Sequence, residues 1–435
     1  MSSYIKNIIL TFNRQVLSLI LGIFTSAIIA RYLGIENRGI YALIILLPTT
    51  LFTFLNLGIN SSIIYFIGKK NNNIKEIIKS TNFISIILIT ISIMIGFIII
   101  TLYKDVFFMG VDKIYLFISL LFLPSLIYTS FLQAIFIGYE NFKTVNYILL
   151  LQPIIFLFLL VLNLLFDYKL NGVLMSELLT QYIILLITYF YVRKLYNKGE
   201  GKLLKSLIYS KIKYGIKNHI ANMITFFEYR LDLIMVSYYL DLKSVGAYVI
   251  AINIAEKLWM VASSVAGVMF ARIVNLENKK EKIFITILSA KIVFFVSLVI
   301  GIILFFIADK LIILLFGSEY CLSILPFLYL LPGIVFWSAV KVYASYIAGE
   351  GKPEYNIYVS IISVILNFIL NFILIPLYGL AGAAIATSIT YIINFILRIF
   401  VFQRMSKISL FQIILPRKEE WNSILIYIKK KGCLK

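Results

Sequence analysis

The chain has 435 residues, of which 61% are apolar and 14% are charged, and its formal net charge is +20. The apolar fraction exceeds what a soluble domain needs, and the basic residues lie in short segments between apolar runs, so this composition excludes a soluble nucleic-acid-binding protein. With a single histidine, little room is left for zinc or serine–histidine chemistry, and no resident cofactor is expected.

Apolar runs of about 20 residues recur along the chain, which is the length that an α-helix needs to cross ~30 Å of hydrocarbon. Backbone groups in lipid must be paired internally, and the runs lack the strict alternation of barrel strands, so they are predicted to be transmembrane helices. Twelve spans are predicted, at 8–32, 40–67, 77–102, 114–138, 145–166, 172–192, 218–240, 246–271, 283–307, 324–348, 357–377 and 380–402.

The segments between the spans alternate in charge. Those on one side, with both terminal segments, carry 27 Lys and Arg residues, whereas those on the other side carry 7. Because basic segments are retained in the cytoplasm, both termini are expected there. The C-terminal segment 403–435 mixes basic and apolar residues and is predicted to be a cytoplasmic basic amphipathic tail.

An internal repeat divides the chain at its longest basic connection, 193–217. Because six spans precede this connection, both halves have the same orientation, and they are predicted to be related by a pseudo-two-fold axis along the membrane normal. The expected fold is an all-α integral membrane protein of two six-helix bundles, 1–205 and 206–402. A shift of 207 residues superimposes Tyr32 on Tyr239, Gly39 on Gly246, Tyr41 on Tyr248, Gly172 on Gly379 and Thr180 on Thr387.

Polar residues follow one face of spans 1, 2, 7 and 8, which predicts a hydrated central cavity between them. Asn56 and Asn60 lie on that face of span 2, and Glu256 lies on the equivalent face of span 8. Span 11 carries a similar stripe, which is interpreted instead as hydrogen bonding between helices. The residues of this stripe are Asn356, Ser360, Ser363, Asn367 and Asn371.

Basic residues also fall inside the spans. Arg14, Lys291 and Lys341 lie about two turns from the cytoplasmic edge, where they would receive an anion or pair with acidic residues of other helices. Arg230 faces away from the acidic residues of its own helix and is expected to pair elsewhere or to form a second wall of the cavity. Arg398, near the inner end of span 12, is expected to extend to the interface.

Two acidic residues of span 7, Glu228 and Asp232, share a face one turn apart. Two carboxylates in a low-dielectric space raise each other's proton affinity. Together with Glu256 they are candidates for binding the H⁺ or Na⁺ that would drive transport, and the alternative is structural pairing with a nearby cation.

Three segments, 30–43, 56–62 and 349–387, resemble Wzx-type polysaccharide flippases of the multidrug/oligosaccharidyl-lipid/polysaccharide exporter superfamily. The resemblance implies transport by alternating access, with an undecaprenyl-pyrophosphate-linked oligosaccharide as substrate. It also implies the cytoplasmic (inner) membrane of a bacterium or archaeon and a role in O-antigen or capsule synthesis. Its implied partners are membrane lipids, a polysaccharide polymerase and chain-length proteins.

Two other functions stay open. A MATE-type exporter of cationic drugs shares the superfamily, although six basic against four acidic residues within the spans favour an anionic substrate. A polysaccharide polymerase or ligase would need a long polar outer loop, and the outer loops here are short. Lipid II flippases of the same superfamily usually have fourteen spans, so twelve predicted spans argue against that branch.

Overall fold

The computed structural model describes residues 2–69, 73–195 and 202–414. Within these ranges the chain forms fourteen α-helices, with 3-10 turns at Glu256–Leu258 and Ser318–Ser323. The helices are α1 (Ser2–Leu55), α2 (Ile59–Gly68), α3 (Ile74–Phe107), α4 (Lys113–Ser119), α5 (Phe122–Gly138), α6 (Phe142–Phe166), α7 (Lys169–Leu195), α8 (Lys205–Tyr239), α9 (Leu242–Ala255), α10 (Trp259–Asn275), α11 (Lys279–Phe316), α12 (Ile324–Gly349), α13 (Pro353–Ser406) and α14 (Leu410–Ile414).

These helices confirm an all-α membrane protein. Eight of them are long and apolar enough to cross a bilayer, or nine if the pair α9 and α10, bent by 47°, counts as one span. Two of the eight contain a glycine with non-helical backbone angles between predicted spans. Gly34 in α1 separates span 1 from the first part of span 2, and Gly379 in α13 separates span 11 from span 12. The seventh predicted span lies in α8, which is more polar, and predicted spans 2, 4 and 8 each cross a break between two helices.

Side chains in the connections fix where several helices begin. Asn73 accepts a hydrogen bond from the backbone N–H of Lys75 at the start of α3, and Asp112 does the same for Ile114 at the start of α4. Such caps satisfy N–H groups that have no partner in the first helical turn. Asn and Asp in these connections therefore separate consecutive spans.

Contacts divide the chain into two compact units. Unit 1 comprises Met1–Val249 and Ile313–Cys321, and unit 2 comprises Ile250–Ile312 and Leu322–Lys435. These units are defined by contacts and not by the sequence repeat. The two bundles predicted from the repeat, 1–205 and 206–402, therefore stay a prediction. Most of the predicted tail, 415–435, lies outside the described residues.

Each unit has its own apolar core. In unit 1, one face of α2 packs on α5 and on the start of α3, through Ile59, Ile63, Ile67, Ile77, Phe131 and Ile135. In unit 2, α10 and α12 pack with the end of α13, through Ala262, Ile273, Tyr343, Tyr346, Ile347 and Phe402. Burial in these cores removes the side chains from contact with lipid and sets the helix neighbours that position the polar residues.

Two repeat-equivalent glycines bring the starts of spans 2 and 8 together within unit 1. A β-carbon on Gly39 would lie 2.1 Å from the carbonyl oxygen of Leu242, and one on Gly246 would lie 2.0 Å from that of Ile35. Leu242 follows Ile35 by the same 207 residues that separate the glycines. A two-fold axis between two like surfaces produces such a reciprocal contact. The 207-residue offset found in the sequence therefore relates two equivalent contacts in the fold, Gly39 with Leu242 and Gly246 with Ile35.

Substitution of Gly39 by alanine should destabilise this contact, because backbone atoms occupy the position of the new β-carbon. We expect a loss of about 1–3 kcal/mol, as for other overpacked sites, seen as a lower thermal unfolding temperature of the purified protein in detergent. Gly22→Ala is the matched control, since no atom lies within 4 Å of its β-carbon position. Equal unfolding temperatures for the two variants would show that the close approach is not maintained.

Candidate functional site

The predicted cavity residue Asn56 lies at a break in span 2, between α1 and α2. Its Oδ1 accepts a hydrogen bond from Gly58 N at 2.8 Å, and its Nδ2 donates to Phe52 O at 2.9 Å. The carbonyl oxygen of Phe54 is met from α8 by His219, whose Nε2 lies 2.8 Å away. Asn56 is 8% exposed. Because its amide oxygen and its amide nitrogen both hydrogen-bond to the backbone, it stabilises the break.

Two other predicted substrate residues of unit 1, Arg14 and Asn60, are half-buried. Asn60 Oδ1 accepts a hydrogen bond from Ser130 Oγ of α5 at 3.4 Å. The Nε of Arg14 is buried and has no hydrogen-bond partner in the described part of the chain. No hydrogen bond between described residues joins Arg14 to Asn56 or Asn60, so a site shared by these three residues stays a prediction.

The acidic candidates of span 7 are buried in unit 1, with Glu228 8% and Asp232 5% exposed. Asp232 Oδ2 accepts a hydrogen bond from the hydroxyl of Tyr248 in α9 at 2.9 Å, and its Oδ1 accepts one from Leu233 N at 2.7 Å. Hydrogen bonds to an ionised carboxylate favour the charged form, whereas burial disfavours it. The sequence did not single out Tyr248 as a partner, although its repeat equivalence to Tyr41 was visible.

Arg230 of the same helix donates from Nη1 to the carbonyl oxygen of Tyr229 at 3.2 Å. This hydrogen bond lies within α8, so it does not test the prediction that Arg230 forms a second wall of the cavity. The placement of Arg230 in a substrate site stays a prediction.

In unit 2, Lys341 of α12 lies beside an interruption of span 8. Its Nζ donates to Ser263 Oγ at 2.8 Å and lies 4.9 Å from the centre of the Trp259 ring. Glu256, in the 3-10 turn that separates α9 from α10, is close enough to interact electrostatically with Lys341. An ammonium over an aromatic face at an interrupted span, with a hydroxyl and a carboxylate close by, is held in position by these side chains.

Aromatic residues support Lys341 from behind. Trp259 packs against Trp337 of α12 and Tyr391 of α13, with ring centroids 6.2 and 6.0 Å from its own. All three are at least 94% buried, so they form a rigid wall and not a surface for ligand stacking. The sequence contained these residues, but only the packing of α10, α12 and α13 brings them together.

Lys291 of α11 lies toward the C-terminal helix. Its Nζ donates to the carbonyl oxygen of Gln412 in α14 at 3.5 Å, which is the limit of a hydrogen bond. This contact places Lys291 beside the start of the predicted tail. Its role in attracting an anion from the cytoplasm stays a prediction.

Arg398 does not extend to the interface as expected, because only 4% of it is exposed. Its Nε donates to Asn394 Oδ1 at 2.7 Å and its Nη2 donates to Ser360 Oγ at 3.2 Å, while Nη1 donates to Asn356. Asn394 in turn donates to Ser363 Oγ at 2.7 Å. The polar stripe of span 11 therefore forms hydrogen bonds between helices, as interpreted, and it encloses the guanidinium.

The comparisons with known proteins cover both halves of the chain. The family model described as "Polysaccharide biosynthesis protein" matches residues 4–277, and that described as "Lipid II flippase MurJ" matches residues 257–431. The probable low-salt glycan biosynthesis flippase Agl15 of Haloferax volcanii is 24% identical over 193 residues, 44% of this chain and 40% of that protein. The chain thus spans about two fifths of this curated relative.

Two solved structures share the fold. The inward closed conformation of the lipid II flippase MurJ aligns with a TM-score of 0.76 and 21% identity, covering 97% of this chain and 96% of that chain. An inward-facing MATE family multidrug resistance transporter aligns with a TM-score of 0.64 and 13% identity, over 91% and 98% of the chains. Because the MurJ chain is covered almost completely, the number of spans does not separate this chain from lipid II flippases.

Replacement of Arg398 by alanine should destabilise unit 2, because Asn356, Ser360 and Asn394 would lose a buried partner. Each buried polar group left without a partner costs about 1–3 kcal/mol, which should lower the unfolding temperature in detergent. Arg404→Ala, at an exposed position of the same helix, is the control. An unfolding temperature equal to that of the control would mean that Arg398 is solvated.

Proposed function

Because the chain belongs to the family of polysaccharide biosynthesis proteins, we propose that it moves a lipid-linked precursor of a surface polysaccharide across the membrane. The substrate is a polyprenyl-pyrophosphate-linked oligosaccharide repeat unit, carried from the inner to the outer leaflet of the cytoplasmic membrane by alternating access. The name of the Haloferax relative supports a glycan flippase. Undecaprenyl is the expected lipid, and a polymerase and chain-length proteins are the expected partners.

The observation that carries this proposal is the environment of Lys341. Its ammonium group lies in a membrane span, on the Trp259 ring and within 2.8 Å of Ser263 Oγ. Placing a cationic side chain inside a span costs free energy unless it pairs with another group or binds a ligand. A pyrophosphate is a ligand of opposite charge. Lys341 would bind the pyrophosphate while the glycan crosses, and Glu256 would hold the ammonium in place between cycles.

Ion coupling is the second element of the proposal, and it rests on Asp232. Its carboxylate is buried against the Tyr248 hydroxyl and lies one turn from Glu228. Binding of H⁺ or Na⁺ would remove one negative charge from this pair in one orientation of the transporter, and release would restore that charge in the other. A gradient of the ion would then drive the cycle in one direction.

A MATE-type exporter of cations is the second candidate function, favoured by the same two buried carboxylates. Glu228 and Asp232 would then contact the drug directly. The two functions differ in what accumulates when the gene is deleted from its host. A flippase deletion traps the complete lipid-linked repeat unit on the cytoplasmic leaflet, whereas an exporter deletion leaves the glycan normal and sensitises the cell to cationic drugs.

Lys341→Gln should lower export of the repeat unit in a deletion host by about tenfold or more, as expected for loss of a hydrogen bond to a charged group. Lys341→Arg should retain most of the export, because it keeps the charge. The exposed Lys310 supplies the control Lys310→Gln, which should export normally. Full export by a stably expressed Lys341→Gln protein would exclude Lys341 as a pyrophosphate ligand.

Asp232→Asn should make flipping in proteoliposomes independent of an imposed H⁺ or Na⁺ gradient, since the amide binds neither ion as a carboxylate does. Tyr248→Phe removes the hydrogen bond to Asp232 but leaves the carboxylate. It should therefore keep the gradient dependence, with a changed ion affinity. A response to the gradient that is equal in Asp232→Asn and wild-type protein would rule out coupling through Asp232.

A further inference from the structure

A short segment from the second half of the sequence packs with unit 1. Ile313–Cys321, here called the outer flap, follows the ninth predicted span and packs on the connection between spans 1 and 2, which is predicted to face outward. Arg31, at the end of span 1 that leads into this connection, donates to the carbonyl oxygens of Leu314 and Leu315 at 2.5 and 3.0 Å. These are carbonyls of the last turn of α11, where a cation is favoured by the helix dipole.

Two further contacts complete the attachment of the outer flap. The hydroxyl of Tyr320 donates to the carbonyl oxygen of Ala30 at 3.0 Å, and the carboxylate of Glu319 accepts from Ile35 N at 3.4 Å. Each is a single hydrogen bond, with a net worth of about 1 kcal/mol. Phe316 and Tyr320 of the outer flap are also buried, at 3% and 1% exposed, so lifting the flap uncovers both rings as well as breaking these hydrogen bonds.

The first half of the sequence makes a corresponding contact, which shows that attachment belongs to the fold. Ser237, the repeat equivalent of Ala30, donates to Phe107 O at 3.5 Å, and Gly110 packs against Leu242. Each half therefore places the connection after its third span on the first connection of the other half. The two contacts differ in the side chain that lies near them, which is Arg38 in the first half and its repeat equivalent Val245 in the second.

Beneath the outer flap lies a buried arginine. Arg38 is 6% exposed, its Nη2 lies 3.5 Å from Ser26 Oγ, and its guanidinium lies 5.2 Å from the centre of the Tyr41 ring. Its Nε is buried without a hydrogen-bond partner among the described residues. The phenol of Tyr320 is within electrostatic range, and burial lowers the pKa of Arg38. The charge is thus desolvated and incompletely hydrogen-bonded while the outer flap is in place.

The fold does not need a charge at this position. The repeat equivalent of Arg38 is Val245, which is 1% exposed and fills the same place in the second half with an apolar side chain. A guanidinium buried without full hydrogen bonding is costly, and an apolar side chain of fitting shape is often as stable or more stable. The arginine is therefore explained by a ligand that it meets when it is uncovered.

We propose that the outer flap is a cover over an anion site centred on Arg38, which takes a diphosphate group once the flap lifts. The inference rests on the proposed function for the identity of the ligand, since the diphosphate of the translocated lipid would reach this end before release. A planar guanidinium binds phosphate oxygens through paired hydrogen bonds, and its free Nε–H supplies one of them. Covering the site in the other orientation prevents the anion from entering backwards.

The test measures binding of radiolabelled inorganic pyrophosphate to the full chain in phosphatidylcholine nanodiscs. Ile35→Cys and Glu319→Cys are introduced together with Cys321→Ser and Cys433→Ser, so that a short thiol cross-linker can hold the flap down reversibly. We expect the cross-linked protein to bind pyrophosphate about tenfold or more weakly than the same protein after reduction, as for loss of a charged hydrogen bond. Equal binding in both forms would overturn the flap as a cover.

Variants at Arg38 test the site itself. Arg38→Val copies the second half and should fold with an unfolding temperature at or above that of wild type, yet lose the component of binding that reduction restores. Arg38→Lys should retain part of that component. Lys243→Gln removes an exposed cation at the same end and should bind as wild type does. Unchanged binding by a folded Arg38→Val protein would overturn the proposal.

Two further arms identify the source of the anion and separate this site from the proposed function. In nanodiscs containing phosphatidylglycerol, weaker pyrophosphate binding that depends on Arg38 would assign the site to phospholipid headgroups and overturn the diphosphate assignment. In the deletion host, Arg38→Val should reduce glycan export. Export at the wild-type level would overturn the site but leave the flippase intact. Arg38-dependent binding without any glycan defect on deletion would keep the site and overturn the flippase.

Discussion

The structure depends on one constraint, which is that every backbone N–H and C=O inside hydrocarbon must be hydrogen-bonded within the protein. Where a span is continuous, the helix satisfies this by itself. Where a span is broken, a side chain has to take the place of the missing helical bond. In span 2 this is done by Asn56 on Gly58 N, and His219 meets the carbonyl oxygen of Phe54. The polar residues at the breaks are consequently fixed in position before any ligand arrives.

The same constraint governs the charged groups, because a buried charge without partners is more costly than a buried amide. Lys341 has a serine hydroxyl and an indole ring, Arg398 has amide and hydroxyl oxygens, and Asp232 has a phenol. These partners hold each charge in place inside the protein. Charged groups inside spans are rare and commonly line the paths of transported ions and substrates. Asp232 belongs to unit 1, and Lys341 belongs to unit 2.

The two halves of the repeat share a backbone arrangement but differ in their charges. Tyr41 and Tyr248 occupy equivalent positions, yet the first lies against the guanidinium of Arg38 and the second donates its hydroxyl to Asp232. Val245 stands where the first half has Arg38. A symmetric scaffold supplies two orientations of similar energy, and unlike charges in the two halves make binding in those orientations unequal.

By itself, the sequence determined the helical class, the approximate spans and the repeat. Hydropathy and residue spacing are local properties, and they decide whether a segment can cross a bilayer as a helix. It also placed Lys341 and Asp232 inside spans, since a charge in an apolar run is visible without a fold. Only the tertiary structure decided the partners. Asn56 hydrogen-bonds to the backbone, Arg398 is enclosed by residues of span 11, and Tyr320 of the outer flap lies within electrostatic range of Arg38. Those outcomes depend on which helices are neighbours and on which way each side chain points, and the packing of residues far apart in the chain fixes both.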